Sequence, residues 1–273
     1  MTKWAARWRA GWLWVQEARI HKEMADEPPD TSDPQSGPKR DNQGTLLLYS
    51  VLTGLTPLIP VPFVDDLVKT HVRRRLFRLL GEARGAGLGQ DTIDTLARET
   101  SGGSLLGGCL SQVFLYPLKK IFRKVFFFLE WKRAADLTSY TYHFGYLVDY
   151  ALQKGLFAPG VGTGRVDEIR AAIERTCHEA PIRPVERAVS ATFRHSHSAL
   201  LSAATAVGTR LRGTGPRTDE RAVAEAADPA ATPQVVTVAA SLGERMGSVP
   251  EEHFEQLRSR FMAHLANPRS GTR

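Results

Sequence analysis

Cysteine is scarce: the 273-residue chain has two, Cys109 and Cys177, and no CxxC pair. A disulfide framework is therefore excluded, and a reducing compartment fits. Strand-like alternation is scarce as well; its one short candidate is PQVVTVAAS, residues 233–241. The spacing signatures of common chemistries are missing: GxGxxG, the P-loop GxxxxGKS/T, HExxH and a serine nucleophile elbow. No 7–15-residue apolar core follows the basic start, because Gln16, Glu17, Arg19 and Lys22 come too soon, so no secretory signal is expected. A cytoplasmic, membrane-peripheral location is the expectation. The Ala-, Arg- and Gly-rich composition fits a bacterial source.

Charge is absent from residues 42–64, a length that could cross a bilayer. Its content argues otherwise. Gly54, Pro57, Pro60 and Pro62 would break a straight helix, and Ser50, Thr53 and Thr56 add polarity. A buried core helix or an interfacial wedge is expected instead.

What is present is basic. Net charge is +7 and pI about 9.6, which favours anionic partners. The excess is concentrated in two stretches. Residues 69–84 carry Lys69, Arg73, Arg74, Arg75, Arg78 and Arg84 against Glu82, and residues 119–133 carry six Lys/Arg against Glu130.

The N-terminus holds four of the five tryptophans within fourteen residues. Trp4, Trp8 and Trp12 recur at i, i+4, i+8 on one helical face, flanked by Lys3, Arg7 and Arg9. An amphipathic helix over 1–26 is expected, suited to an interfacial apolar surface. Residues 27–44, with four prolines and two glycines, read as a flexible tether. A helical core over 45–212 follows. A second linker is expected at 213–234 and a mobile C-terminal helical segment at 235–273. The fold class is all-α: an irregular helical bundle with a tethered N-terminal helix.

Within the core, a helix should begin near Phe63, with Asp65 and Asp66 complementing its positive end and Leu67, Val68, Val72, Leu76, Leu79 and Leu80 as its apolar stripe. A short helix capped at Asp91 and a long one over 117–155 ending at Gly155 should follow. In the long helix Leu118, Ile121, Phe122, Val125, Phe128 and Leu129 are the expected core face. Helices at about 165–180 and 183–212 complete the core, and Pro250 with Glu251–Glu252 should open the last helix.

No constellation points to catalysis. Asp65–Asp66 lacks the third acid of DDxxD, since Lys69 stands there. His195 and His197, at i, i+2, face different ways, and so do Cys177 and His178. GVGTGR, residues 160–165, is a helix entry without a preceding strand. Asp149 and His143 have no local partners. No cofactor and no metal are expected, and an enzymatic role is disfavoured.

Basic and aromatic residues do interleave. Lys120 and Lys124 lie beside Phe127 and Trp131 (i, i+4), a pattern suited to a headgroup layer. With Trp4, Arg7, Trp8 and Trp12 they form the candidate surface for an anionic membrane or for a protein partner. A second copy of the chain, giving a homo-oligomer, is one such partner. The favoured reading is a non-enzymatic, membrane-associated or scaffold protein. Its rivals are an α-helical enzyme acting on a lipid or isoprenoid, and a nucleic-acid-binding protein, which lacks a helix-turn-helix signature. The stretch PLIPVPFVDDLV (Pro57 to Val68), followed by a basic helix and glycine-rich apolar segments, resembles bacterial membrane-associated proteins of the YcjF and EcsC type. That resemblance implies membrane association and no known active site.

If Asp65 and Asp66 serve the helix start, changing each to Asn should lower stability by about 0.5–1 kcal/mol and leave binding intact. Loss of a specific activity at unchanged melting temperature would make them an acid site.

Overall fold

A computed structural model describes residues 40–61, 65–98, 123–158, 160–180, 183–213, 220–228 and 232–267. These form an all-α bundle with no strand among the described residues. The helices are α1 Arg40–Leu55, α2 Asp65–Ala83, α3 Gln90–Ala97, α4 Arg123–Gln153, α5 Thr163–Glu179, α6 Arg183–His195, α7 His197–Gly213, α8 Glu220–Ala226, α9 Pro233–Met246 and α10 Glu251–Ala266. A 3-10 turn, Thr56–Leu58, prolongs α1.

α1 is the buried helix that the charge-free run implies. It packs against α4, α9 and α2, so apolar residues surround it: Leu46, Leu47, Val51, Leu52 and Leu55 are all buried. Glycines let it approach α4 closely. A Cβ on Gly54 would lie 2.8 Å from the Ala134 carbonyl, and one on Gly145 would lie 2.4 Å from Leu46. Because 54 meets 134–138 and 46 meets 145, the two helices run antiparallel. The prolines end α1 by design of the backbone: Pro57 sits in the 3-10 turn and Pro60 in the bend after it. That bend rests on α7, where Gly208 leaves room for the Pro60 ring and Arg212 donates to the Pro60 carbonyl.

α2 opens with Asp65 and Asp66 in its first turn, and Asp66 pairs with Lys69 at 2.8 Å. Val68, Val72, Leu76 and Leu80 are buried as the stripe requires, together with Phe77. Leu67, expected in that stripe, is exposed. Two basic residues turn inward instead: Lys69 is buried, and Arg73 lies over the Phe144 ring at 5.0 Å. The helix stops at Gly85, whose φ of +67° only glycine takes cheaply. Ala86 N–H reaches back to the Gly81 carbonyl and Gly85 N–H to that of Glu82, a Schellman closure. The same pair of bonds closes α4 at Gly155, as expected, with Leu156 bonding to Ala151 and Gly155 to Leu152.

These two closures set up the main buried ion pair. Arg84, the last residue before the glycine, reaches Asp149 with Nε at 2.9 Å and an amino group at 2.6 Å. Asn42 donates to the same carboxylate at 2.8 Å. Asp149 is fully buried, so α1, α2 and α4 converge on one charge.

Several expectations need correction. α1 starts at Arg40, inside the predicted tether, because Asn42 is anchored on Asp149. The predicted linker 213–234 contains α8, whose Val223 and Ala226 are buried, and the first turn of α9. PQVVTVAAS is helical, with Val235, Val238 and Ala239 turned inward at helical spacing. The C-terminal segment belongs to the bundle: α9 packs on α1, α6 and α7, and α10 packs on α5 and α4 through Leu257, Phe261 and Leu265. Residues 183–212 form two helices that break at Ser196. α3 starts at Gln90 after Gly89, so Asp91 lies in its first turn rather than at its cap. On α4, Phe128 and Leu129 are exposed, because the inward face set by Ala134, Thr138, Tyr142 and Gly145 is out of phase with them.

Removing Arg84 would strand a buried carboxylate. Arg84→Met should cost about 3–5 kcal/mol in chemical denaturation, and adding Asp149→Leu should recover most of it. A loss below about 1 kcal/mol for the single change would show that Asp149 is hydrated or protonated instead.

Candidate functional site

Cationic side chains converge most closely along one side of α2. Leu67, His71, Arg74, Arg75 and Arg78 follow the helical period and share a face. His71, Arg74, Arg75 and Arg78 join Gln90 of α3 and Arg221 of α8 in lining a cavity of about 330 Å³. Carboxylates stand close behind it: Asp94 beside Arg74, and Asp228 and Glu82 near enough to Arg75 to help raise its pKa. The cavity's size is at the small end of ligand sites, which run roughly 300–1,000 Å³.

Neighbouring helices hold these arginines in place. Arg74 pairs through Nε with Asp94 of α3 at 2.7 Å. Gln90 donates to the same carboxylate at 3.1 Å and accepts from Arg78 at 3.2 Å. Arg75 donates through Nε to the Tyr49 hydroxyl at 2.9 Å, and this bond pushes its pKa up from the ordinary arginine value. Anchoring at Nε fixes the direction in which a guanidinium's terminal amino groups point. Gln90 is also the first residue of α3, so the positive end of that helix borders the cavity. The cleft is therefore a preorganised cationic recess that suits an anion with several oxygens. A second depression, about 480 Å³ between α1 and α9, is lined by Leu47, Leu48, Ala239 and Gly243 among others and holds no charged side chain.

The surface predicted from sequence is only partly described. Trp4, Arg7, Trp8, Trp12 and Lys120 lie outside the described residues, as does Cys109. Lys124 and Phe127 fall in the first turns of α4, where the side chains are likewise outside the description. Trp131 is half-buried: its ring meets Phe193 edge-on at 5.9 Å and His197 at 4.6 Å. It therefore takes part in the α4–α6–α7 packing while remaining partly exposed, and the neighbouring Phe128 and Leu129 are exposed apolar residues. Arg221 was not singled out from sequence, since an exposed arginine in an Ala-rich stretch carries no local signal.

The described residues also hold a buried titratable pair. His143 on α4 and His253 in the first turn of α10 bring their Nε2 atoms to 2.9 Å, inside a cage of Tyr142, Tyr146 and Phe254. His143 Nδ1 lies 2.7 Å from the Ser139 carbonyl and must donate to it. Nε2 of His143 is then the acceptor, and Nε2–H of His253 is the donor. Burial lowers the pKa of His143 to about 4 and also lowers that of His253. Cys177, buried on α5, has its thiol pushed up by burial, which makes it unreactive. Among the described residues no group of three or more His, Cys, Asp or Glu is placed to hold a metal ion.

No family model, curated protein or solved structure matches the chain.

The histidine pair makes stability depend on acid. His143 ordinarily titrates near 6.5 but near 4 when folded, so between these values the unfolded chain binds more protons. Stability should be full above about pH 6.5 and fall as pH drops toward 4, by on the order of 3 kcal/mol. Denaturant unfolding at stepped pH reads this directly. Replacing both histidines by Gln should flatten the slope in that window, and an unchanged slope would assign it to other groups.

Proposed function

We propose that the protein is a non-enzymatic, membrane-peripheral adaptor that docks on an anionic surface through the α2 cleft. The observation that carries this reading is the convergence of His71, Arg74, Arg75, Arg78 and Arg221 on one recess. Leu67, exposed one turn before His71 on the same face, adds an apolar contact at the depth of headgroups. Among the described residues no helix is long and apolar enough to cross a membrane, and the contact proposed is with the headgroup layer. A basic residue near such a surface contributes roughly 1 kcal/mol, so three exposed arginines and one leucine give reversible binding. The tryptophan-rich arm, with Trp4, Trp8 and Trp12, would supply the second attachment that stable anchoring needs. The likeness of Pro57 to Val68 to the YcjF and EcsC type supports the same reading.

Sedimentation with vesicles tests it. The protein should pellet with anionic vesicles and not with neutral ones, and salt should weaken the binding. Tryptophan emission should shift to the blue on binding, and Arg78→Glu with Arg221→Glu should weaken capture severalfold. Equal binding to both vesicle types, or tight binding to DNA with none to vesicles, would end this proposal.

A further inference from the structure

The cleft is more than a charged face, and the difference bears on what it recognises. A flat basic surface reads charge density; a recess with guanidinium groups held at set positions reads the shape of one anion. Three constraints act here. Asp94 and Gln90 tie Arg74 and Arg78 to α3. Tyr49 ties Arg75 to α1. Arg221 arrives from α8, across the recess from α2. The recess is thus lined by donors from more than one helix.

A phosphodiester headgroup brings one charge and two non-bridging oxygens. A phosphate monoester brings three oxygens and close to two charges near neutral pH. The monoester offers the arginines of α2 and α8 and the Gln90 end of α3 one more oxygen and about twice the charge of a diester. Leu67 lies on the same α2 face and is 51% exposed; a phosphate carried on a lipid would set it against the lipid layer, which a free anion would not.

Building on the surface-docking reading above, we infer that the α2–α3–α8 cleft is a specific site for the phosphate monoester of a membrane lipid headgroup. Arg75, Arg78 and Arg221 grip the monoester oxygens, while Leu67 enters the lipid layer beside it.

The experiment uses the full chain and two vesicle preparations adjusted to equal surface potential. One contains phosphatidic acid, a monoester, and the other phosphatidylglycerol, a diester. Binding to phosphatidic acid should be tighter by about tenfold or more. Arg75→Gln with Arg78→Gln should weaken binding to both vesicles, and to phosphatidic acid by far the more, so that the preference disappears. Arg221→Gln alone, at an exposed position on α8, should reduce it in part, and it guards against a folding defect in the first variant. Glycerol 3-phosphate in solution should compete only at far higher concentration than the vesicle-borne lipid. Equal affinity for the two matched vesicles would overturn the monoester site and leave general anionic docking standing. Failure to bind either would overturn both. Glycerol 3-phosphate binding as tightly as the lipid, with the same arginine dependence, would make this a soluble-phosphate site and overturn the membrane assignment.

Discussion

Asp149 carries a charge, fully buried, near the C-terminal end of α4, and the bundle is arranged around keeping it paired. An isolated carboxylate there would be expensive, so Arg84 and Asn42 must both be delivered to it. Arg84 arrives because α2 ends in a Schellman turn at Gly85, and Asn42 because α1 begins before the charge-free run. Both approaches require α1 and α4 to lie close together, which Gly54 and Gly145 allow. The pair is thus a register pin. Sliding α1 by one turn against α4 would separate Asn42 from Asp149 and drive Leu46 into a helix with no glycine to receive it.

The parts of this design that depend on neighbours in the chain were legible. The absence of charge over 42–64 announced a surrounded helix, and α1 is one. Asp65 and Asp66 announced a helix start, Gly155 a helix end, and Pro250 with Glu251 and Glu252 the opening of α10. The parts that depend on distant pairing were not. Asp149 finds its partners 65 and 107 positions away, and His143 finds His253 at a separation of 110. No local pattern encodes such distances. The segment after α7 misled for a different reason. Glycine, proline and aspartate around 213–234 signal a break, yet alanine and valine between them suffice for a short helix once α2 and α7 offer a surface to cover.

Charge illustrates the same limit within a single element. The six basic residues of 69–84 look alike in sequence, and the fold gives them three fates. Lys69 and Arg73 turn into the core, one paired with Asp66 and the other stacked on Phe144. Arg84 is spent on Asp149. Arg74, Arg75 and Arg78 are left on the outer side, where they meet Arg221. Counting basic residues therefore overstates the binding surface about twofold, and the position of a residue on the helical wheel decides which kind it is. Trp131 stands between the two among aromatics: beside lysines it looked interfacial, and it is half-buried, with one part of its ring packed on Phe193 and His197.

This division has a physical consequence for how a docked protein could be released. The Arg84–Asp149 pair is shielded from solvent, where mobile ions screen little, and its strength should vary weakly with ionic strength. The arginines of the cleft are at the surface, where a Debye length near 10 Å at 0.1 M salt attenuates their reach. Structural charge and recognition charge thus respond differently to the same solution. On the proposed docking, raising salt would weaken the contact with an anionic surface while the register pin stays intact. The ties of Arg74, Arg75 and Arg78 run to α1 and α3, so the recess would keep its shape through such a release.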